Sequence, residues 1–137
     1  MKREARGMKT LGLRFEAILT SPFTRCRQTA RIVAAELKPA KSPAILRALV
    51  PGGAPREVVA GIPAVGASGS ILLIGHEPDL SRLAAHLLLR MPCDISIELK
   101  KGGLCRIDFD ESPRPGMGRL ALLLSPRVLR LMAKGRS

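Results

Sequence analysis

Residues 17–25 read AILTSPFTR, an apolar run that is followed directly by a Ser-Pro pair. The apolar residues at its start predict a buried strand over residues 16–20. Ser21 is a favourable helix cap, and Pro22 is favourable in a first helical turn. The stretch therefore predicts a strand that leads directly into a helix.

The same pattern occurs again at residues 70–80, which read SILLIGHEPDL. The apolar run predicts a second buried strand, and His76 follows it directly. Pro78 then opens a helix, whose apolar face is formed by Leu80, Leu83, Ala84 and Leu87. Strands that alternate with helices predict an α/β fold with a mainly parallel sheet.

The rest of the chain adds further helices and strands. The predicted elements are a helix over residues 2–11, a strand over 45–50, a short helix over 55–62, strands over 95–99, 104–109 and 120–124, and a final helix from Pro126. The glycines in residues 100–103 predict a hairpin, which gives the sheet an antiparallel part. With 137 residues, of which 46% are hydrophobic, the chain has the size and apolar content of one domain.

The net charge of +12 makes nucleic acid a partner to consider. However, only 2% of the residues are aromatic, so the rings on which single-stranded nucleic acid stacks are almost absent. The basic residues are also spread from Lys2 to Arg136 without a dense block. A nucleic-acid binder is therefore the weakest of the functions that the sequence suggests.

Compartment and redox state follow from what the sequence contains. No early stretch resembles a secretory signal and no apolar run is long enough to span a membrane, so we expect a cytoplasmic protein. Cys26, Cys93 and Cys105 are odd in number and far apart, which fits neither a disulfide framework nor a paired-cysteine metal site. We expect buried, reduced thiols.

Two polar side chains stand where predicted strands hand over to helices. Ligands of such sheets bind beyond the carboxyl ends of the strands, so Arg25 and His76 are expected to lie near each other. An arginine fork binds two phosphate oxygens, a histidine can stabilise a third, and a helix N-terminus attracts anions. Taken singly, each residue is more often a solvated charge or a structural histidine.

Together the motifs are more specific. The pattern Ser21-Pro22-x-x-Arg25-x-x-Gln28-Thr29, followed by Ile74-Gly75-His76-x-Pro78-x-Leu80, resembles the histidine phosphatase superfamily, and within it the SixA-type phosphohistidine phosphatases. The resemblance covers nearly the whole chain, including residues 123–129. It implies a three-layer α/β sandwich of the phosphoglycerate mutase-like kind.

The resemblance also implies the roles of the site residues. In this family a first strand ends in an Arg-His pair whose histidine attacks phosphorus. Arg25 corresponds to the second arginine and His76 to the second histidine, and both are expected to bind phosphate together with Ser21. No metal and no cofactor is implied.

The sequence departs from the family pattern at the nucleophile, because no Arg-His pair occurs in the 137 residues. The strand that carries this pair would lie centrally in the sheet. We therefore expect an N-terminally incomplete domain over residues 1–137, with Met1 an internal methionine and a strand ending in Arg-His upstream of it.

Glu57 and Glu77 are possible proton donors, although a carboxylate at a helix start also favours the helix dipole. His86 lies in the middle of a predicted helix and is expected to be structural.

Two functions follow from the resemblance. The first is a phosphatase that acts through a phosphohistidine intermediate on a phosphohistidine protein, such as a phosphotransfer domain, or on a small phosphomonoester. The second is a non-catalytic phosphate-binding or interaction module that has lost its nucleophile. The sequence does not decide the oligomeric state.

Overall fold

The computed structural model describes residues 1–91 and 95–135, in which helices alternate with strands. The helices are α1 (Lys2–Thr10), α2 (Thr24–Leu37), α3 (Pro55–Gly61), α4 (Asp79–Leu88) and α5 (Pro126–Lys134). The strands are β1 (Ala17–Thr20), β2 (Ala44–Ile45), β3 (Ile71–Ile74), β4 (Leu104–Asp108) and β5 (Arg119–Leu124). None of the described helices is long and apolar enough to cross a membrane.

The first three strands form a parallel sheet in the order β2-β1-β3. β1 is the central strand and is buried at all four positions. It pairs with β3 in the register Ala17 with Ile71 and Thr20 with Ile74. Both strands read as continuous apolar runs because helices cover both faces of a parallel sheet.

Side chains of β1 alternate between two hydrophobic clusters. Ile18 is fully buried against residues of α1 and α2, namely Ala5, Ala30 and Val33. Leu19, which points the opposite way, packs with residues of α3 and α4 such as Val58 and Leu83. The sheet thus lies between two helical layers, as a three-layer α/β sandwich requires.

The last two strands form an antiparallel pair, with Leu104 opposite Leu124 and Asp108 opposite Arg119. The α/β class with a parallel sheet and an antiparallel part is therefore confirmed, but the predicted hairpin is wrong. Residues 95–99 are not a strand, and β4 pairs with β5 instead. The pairing with β5 lets Leu104 pack with Leu129 of α5, the helix that directly follows β5.

The strand predicted over residues 45–50 is also mostly wrong. Only Ala44 and Ile45 pair with β1, and a 3-10 turn follows over Arg47–Leu49. This turn buries Leu49 in the cluster that contains Leu19. A longer strand would instead place further apolar residues on an exposed sheet edge.

The two sheets do not join. Within residues 1–91 and 95–135, no ladder connects the outer edge of β3 to the outer edge of β4. The antiparallel pair is held instead through helices, because α5 packs closely on α1 and α4 contacts β4.

Candidate phosphate site

A cavity of about 1640 Å³ lies between β3 and β4. It is lined by Ile71–Ile74 of β3, by Leu104–Asp108 of β4, and by apolar residues of α4 such as Leu83 and Leu87. We call it the interstrand cavity. It exceeds the roughly 300–1,000 Å³ of most ligand pockets, and its long walls are strand edges.

Arg25 and His76, the two residues predicted to meet, both line the interstrand cavity. Arg25 is the second residue of α2, and His76 follows β3 by two positions. Both follow the carboxyl ends of β1 and β3, which are parallel neighbours and therefore end at the same edge of the sheet.

The site is suited to an anion. Arg25 is exposed and no described carboxylate lies within ion-pair distance of it. α2 begins without a side-chain cap and without an acidic residue in its first turn. Its first N–H groups and the Arg25 guanidinium therefore present uncompensated positive charge at the same place.

Ser21 holds His76. The Ser21 hydroxyl oxygen lies 2.9 Å from His76 Nε2 and also accepts the Phe23 N–H at 3.2 Å. Ser21 is completely buried and does not line the interstrand cavity in the described part of the chain. The predicted helix cap at Ser21 is wrong, since α2 starts at Thr24 and the hydroxyl serves His76 and the connecting loop instead.

Cys26 lies near the same ring nitrogen of His76 as Ser21 does. Its thiol sulfur is 3.5 Å from the Gly75 carbonyl oxygen and 3.7 Å from His76 Nε2. Burial raises the pKa of the Cys26 thiol, and a hydrogen bond with Ser21 opposes this only in part. The group beside His76 is therefore a neutral thiol at neutral pH.

The sequence predicts only a buried, reduced thiol at Cys26 and does not single out Phe23. The Phe23 ring lies with its centroid 5.2 Å from that of His76, at an interplanar angle of 72°. Phe23 ends the loop between β1 and α2, and Cys26 lies in the first turn of α2. Both residues lie within two positions of Arg25 in the sequence, and this closeness is the signal that could have identified them.

The predicted proton donors lie in different places. Glu77 lines the interstrand cavity, and its carboxylate accepts the Ser81 hydroxyl at 2.7 Å. Glu57 is exposed in the first turn of α3 and is not among the described residues that line the cavity. His86 lies within α4, as predicted, and is not among them either.

Other charges at the cavity are partly neutralised. Arg106 pairs with Asp108 at 2.8 Å, and Arg119 pairs with Asp110 at 2.9 Å. Among the described His, Cys, Asp and Glu residues, no three are grouped so that they could hold a metal ion. Of the predicted thiols, Cys26 is buried and Cys105 partly buried, both unpaired, and Cys93 lies outside the described residues.

Known proteins resemble this chain in sequence and in fold. No protein-family profile matches it. An uncharacterized protein of Picosynechococcus sp. is 38% identical over 139 residues, which cover 93% of this chain and 79% of that protein. The solved structure of the protein histidine phosphatase SixA complexed with tungstate matches with a TM-score of 0.78 and 30% identity, covering 93% of this chain and 80% of that one.

Proposed function

The chain belongs to the family of the protein histidine phosphatase SixA, and we propose that it forms most of an enzyme that hydrolyses phosphohistidine. One observation carries the proposal. Arg25, in the uncapped first turn of α2, and His76 both line the interstrand cavity, and each follows one of two parallel neighbouring strands. This arrangement suits the binding of a phosphoryl group and the stabilisation of its charge during transfer.

The nucleophile is the part that these 137 residues do not contain, since no Arg-His pair occurs among them. We propose that a further strand, ending in Arg-His, occupies the interstrand cavity parallel to β3. It would pair with the outer edges of β3 and β4, whose N–H and C=O groups otherwise lack ladder partners. Its carboxyl end would then stand beside Arg25 and His76.

The chemistry follows the family resemblance. A nitrogen of the nucleophilic histidine attacks phosphorus, the P–N bond of the substrate breaks, and the leaving imidazole takes up a proton. Water then attacks the phosphohistidine of the enzyme and releases inorganic phosphate. Arg25 binds two phosphoryl oxygens through its fork, and His76, held by Ser21, hydrogen-bonds to the remaining oxygen.

Glu77 is our candidate proton donor, because it lines the interstrand cavity and Glu57 is not among the residues described there. The proposed substrate is a phosphohistidine protein such as a phosphotransfer domain. The similar solved structure is that of a protein histidine phosphatase, which supports this choice over a small phosphomonoester. No cofactor takes part in the proposed reaction.

The test uses the protein purified at its native length, with the intact mass measured first. Arg25→Ala and His76→Ala should each lower kcat/KM for a phosphohistidine protein by about 10²–10³-fold, because each removes charge stabilisation of the transition state. His86→Ala is the matched control and should keep wild-type turnover. Near-normal turnover in either site variant would overturn the assignment.

The alternative is a non-catalytic phosphate-binding module, which the lack of an Arg-His pair favours. A native mass at 14.7 kDa, with tungstate binding that depends on Arg25 but without turnover, would establish it. A larger mass, with an additional peptide that contains Arg-His and with turnover of phosphohistidine, would establish the phosphatase.

A further inference from the structure

Phe23 is the aromatic residue next to the proposed phosphate site. Half of its surface, 51%, is exposed, whereas the two other phenylalanines, Phe15 and Phe109, are partly buried. The chain has no Trp and no Tyr, so Phe23 is its most exposed aromatic ring. It stands two residues before Arg25 in the loop that leads into α2.

The backbone of Phe23 is fixed on both sides. Its N–H donates to the Ser21 hydroxyl oxygen at 3.2 Å, and its carbonyl oxygen accepts the Arg27 N–H at 3.0 Å. The ring meets His76 edge to face, which leaves the rest of its surface to solvent. A large apolar ring is thus held in water at a rigid position beside a residue of the site.

We propose that Phe23 determines specificity by stacking on the imidazole ring of the substrate phosphohistidine. The inference rests on the proposed function and adds the residue that recognises the leaving imidazole. Aromatic pairs form with centroids about 4.5–7 Å apart, and Phe23 is already 5.2 Å from His76. In the proposed complex, the phosphoryl group is bound by His76 and Arg25, and the imidazole of the substrate contacts the exposed face of Phe23 beside His76.

The chemical reason lies in the difference between substrates. Phosphohistidine and phosphoramidate share a labile P–N bond, but only phosphohistidine has a planar aromatic leaving group. Arg25 and His76 bind the phosphoryl oxygens, which the two compounds have in common. Discrimination between them therefore needs a group that contacts the ring. Phe15 and Phe109 line the interstrand cavity and are partly buried, whereas Phe23 contacts the His76 ring and is half exposed.

The experiment measures kcat/KM for phosphohistidine and for phosphoramidate with the native-length protein. Phe23→Ala should lower the ratio of kcat/KM for phosphohistidine to that for phosphoramidate about tenfold, and Phe23→Leu should lower it nearly as much. Phe23→Tyr keeps an aromatic ring and should retain the ratio of the unaltered protein. Met117→Ala is the matched control, because Met117 is also 51% exposed but lies outside the site, and it should leave the ratio unchanged.

Other outcomes separate this inference from the function on which it rests. If Phe23→Ala lowers both values equally, Phe23 only orients His76, and the specificity role is overturned while the phosphatase stands. If Phe23→Ala changes neither value, the specificity role is overturned as well. If the unaltered protein hydrolyses neither compound nor a phosphohistidine protein, the proposed function itself is overturned.

Discussion

Ser21 shows how one hydroxyl links the two halves of the site. It is completely buried, accepts the Phe23 N–H, and lies 2.9 Å from His76 Nε2. A histidine that is to hydrogen-bond a phosphoryl oxygen needs a fixed ring orientation, and the bond to one ring nitrogen decides how the other is used. We therefore propose that Ser21 is a positioning residue, which acts through His76.

We predict that Ser21→Ala lowers kcat/KM for phosphohistidine about 10- to 100-fold, because the His76 ring loses its anchor. Ser125→Ala is the control. Ser125 likewise accepts a backbone N–H, that of Val128, but at the start of α5.

The control should cost about 1 kcal/mol of unfolding free energy and leave turnover unchanged. If Ser21→Ala and Ser125→Ala reduced only stability, and to a similar extent, the positioning role would be refuted.

Sequence reasoning brought Arg25 and His76 together because parallel strands end at one edge of a sheet. The predicted binding of phosphate by Ser21 stays a prediction, while the contact of its hydroxyl with His76 was not foreseen. That contact depends on the register of β1 and β3, in which Thr20 pairs with Ile74, so that the residues just after each strand meet. No local pattern in the sequence reports a register between segments about fifty residues apart.

At the scale of elements, the packing of α1 on α5 depends on Gly7. A Cβ atom placed on Gly7 would lie 2.0 Å from the Leu129 carbonyl oxygen, which is main chain and cannot rotate away. The glycine therefore allows the two helix backbones to approach closely. Met8 and Leu129 are buried beside it in one cluster with Leu104 of β4.

We predict that Gly7→Ala lowers the free energy of unfolding by about 1–3 kcal/mol, because the two helices must move apart. Chemical denaturation measures this change. Gly135→Ala is the control, since the nearest atom to an added Cβ there is 3.7 Å away and the position should accept it. Equal stability of Gly7→Ala and the unaltered protein would contradict the close packing.

Elements with strong local signals were predictable. α1, β1, β3 and α5 follow from amphipathic spacing, apolar runs and a Ser-Pro start, and their observed bounds agree within a few residues. The pairing of β4 was not predictable from the sequence. Gly102 and Gly103 predict a turn, but they do not determine which strand pairs with the strand that follows it. The choice of β5 over residues 95–99 is made by tertiary packing of Leu104 and α5.

At the scale of the whole molecule, the interstrand cavity lies between β3 and β4, each of which has one edge without a ladder partner among residues 1–91 and 95–135. We predict that addition of the proposed Arg-His strand slows amide hydrogen exchange in β3 and β4, because it supplies ladder partners. Exchange measured by mass spectrometry on the 137-residue chain and on the extended protein tests this.

β1 is the internal control, because it is hydrogen-bonded to β2 on one side and to β3 on the other. Its amides should be protected in both proteins. If β3 and β4 exchanged at the same rates with and without the added segment, no strand would occupy the interstrand cavity.

The edges of β3 and β4 that line the interstrand cavity also affect how the chain behaves in a crowded cell. Each edge accepts an extended segment from any neighbouring polypeptide, because main-chain pairing does not depend on sequence. A chain with the interstrand cavity empty is therefore a nucleus for aggregation, and chaperones and proteases are expected to recognise it. The proposed Arg-His strand would complete the site and, in the same step, protect the protein from being sequestered or degraded.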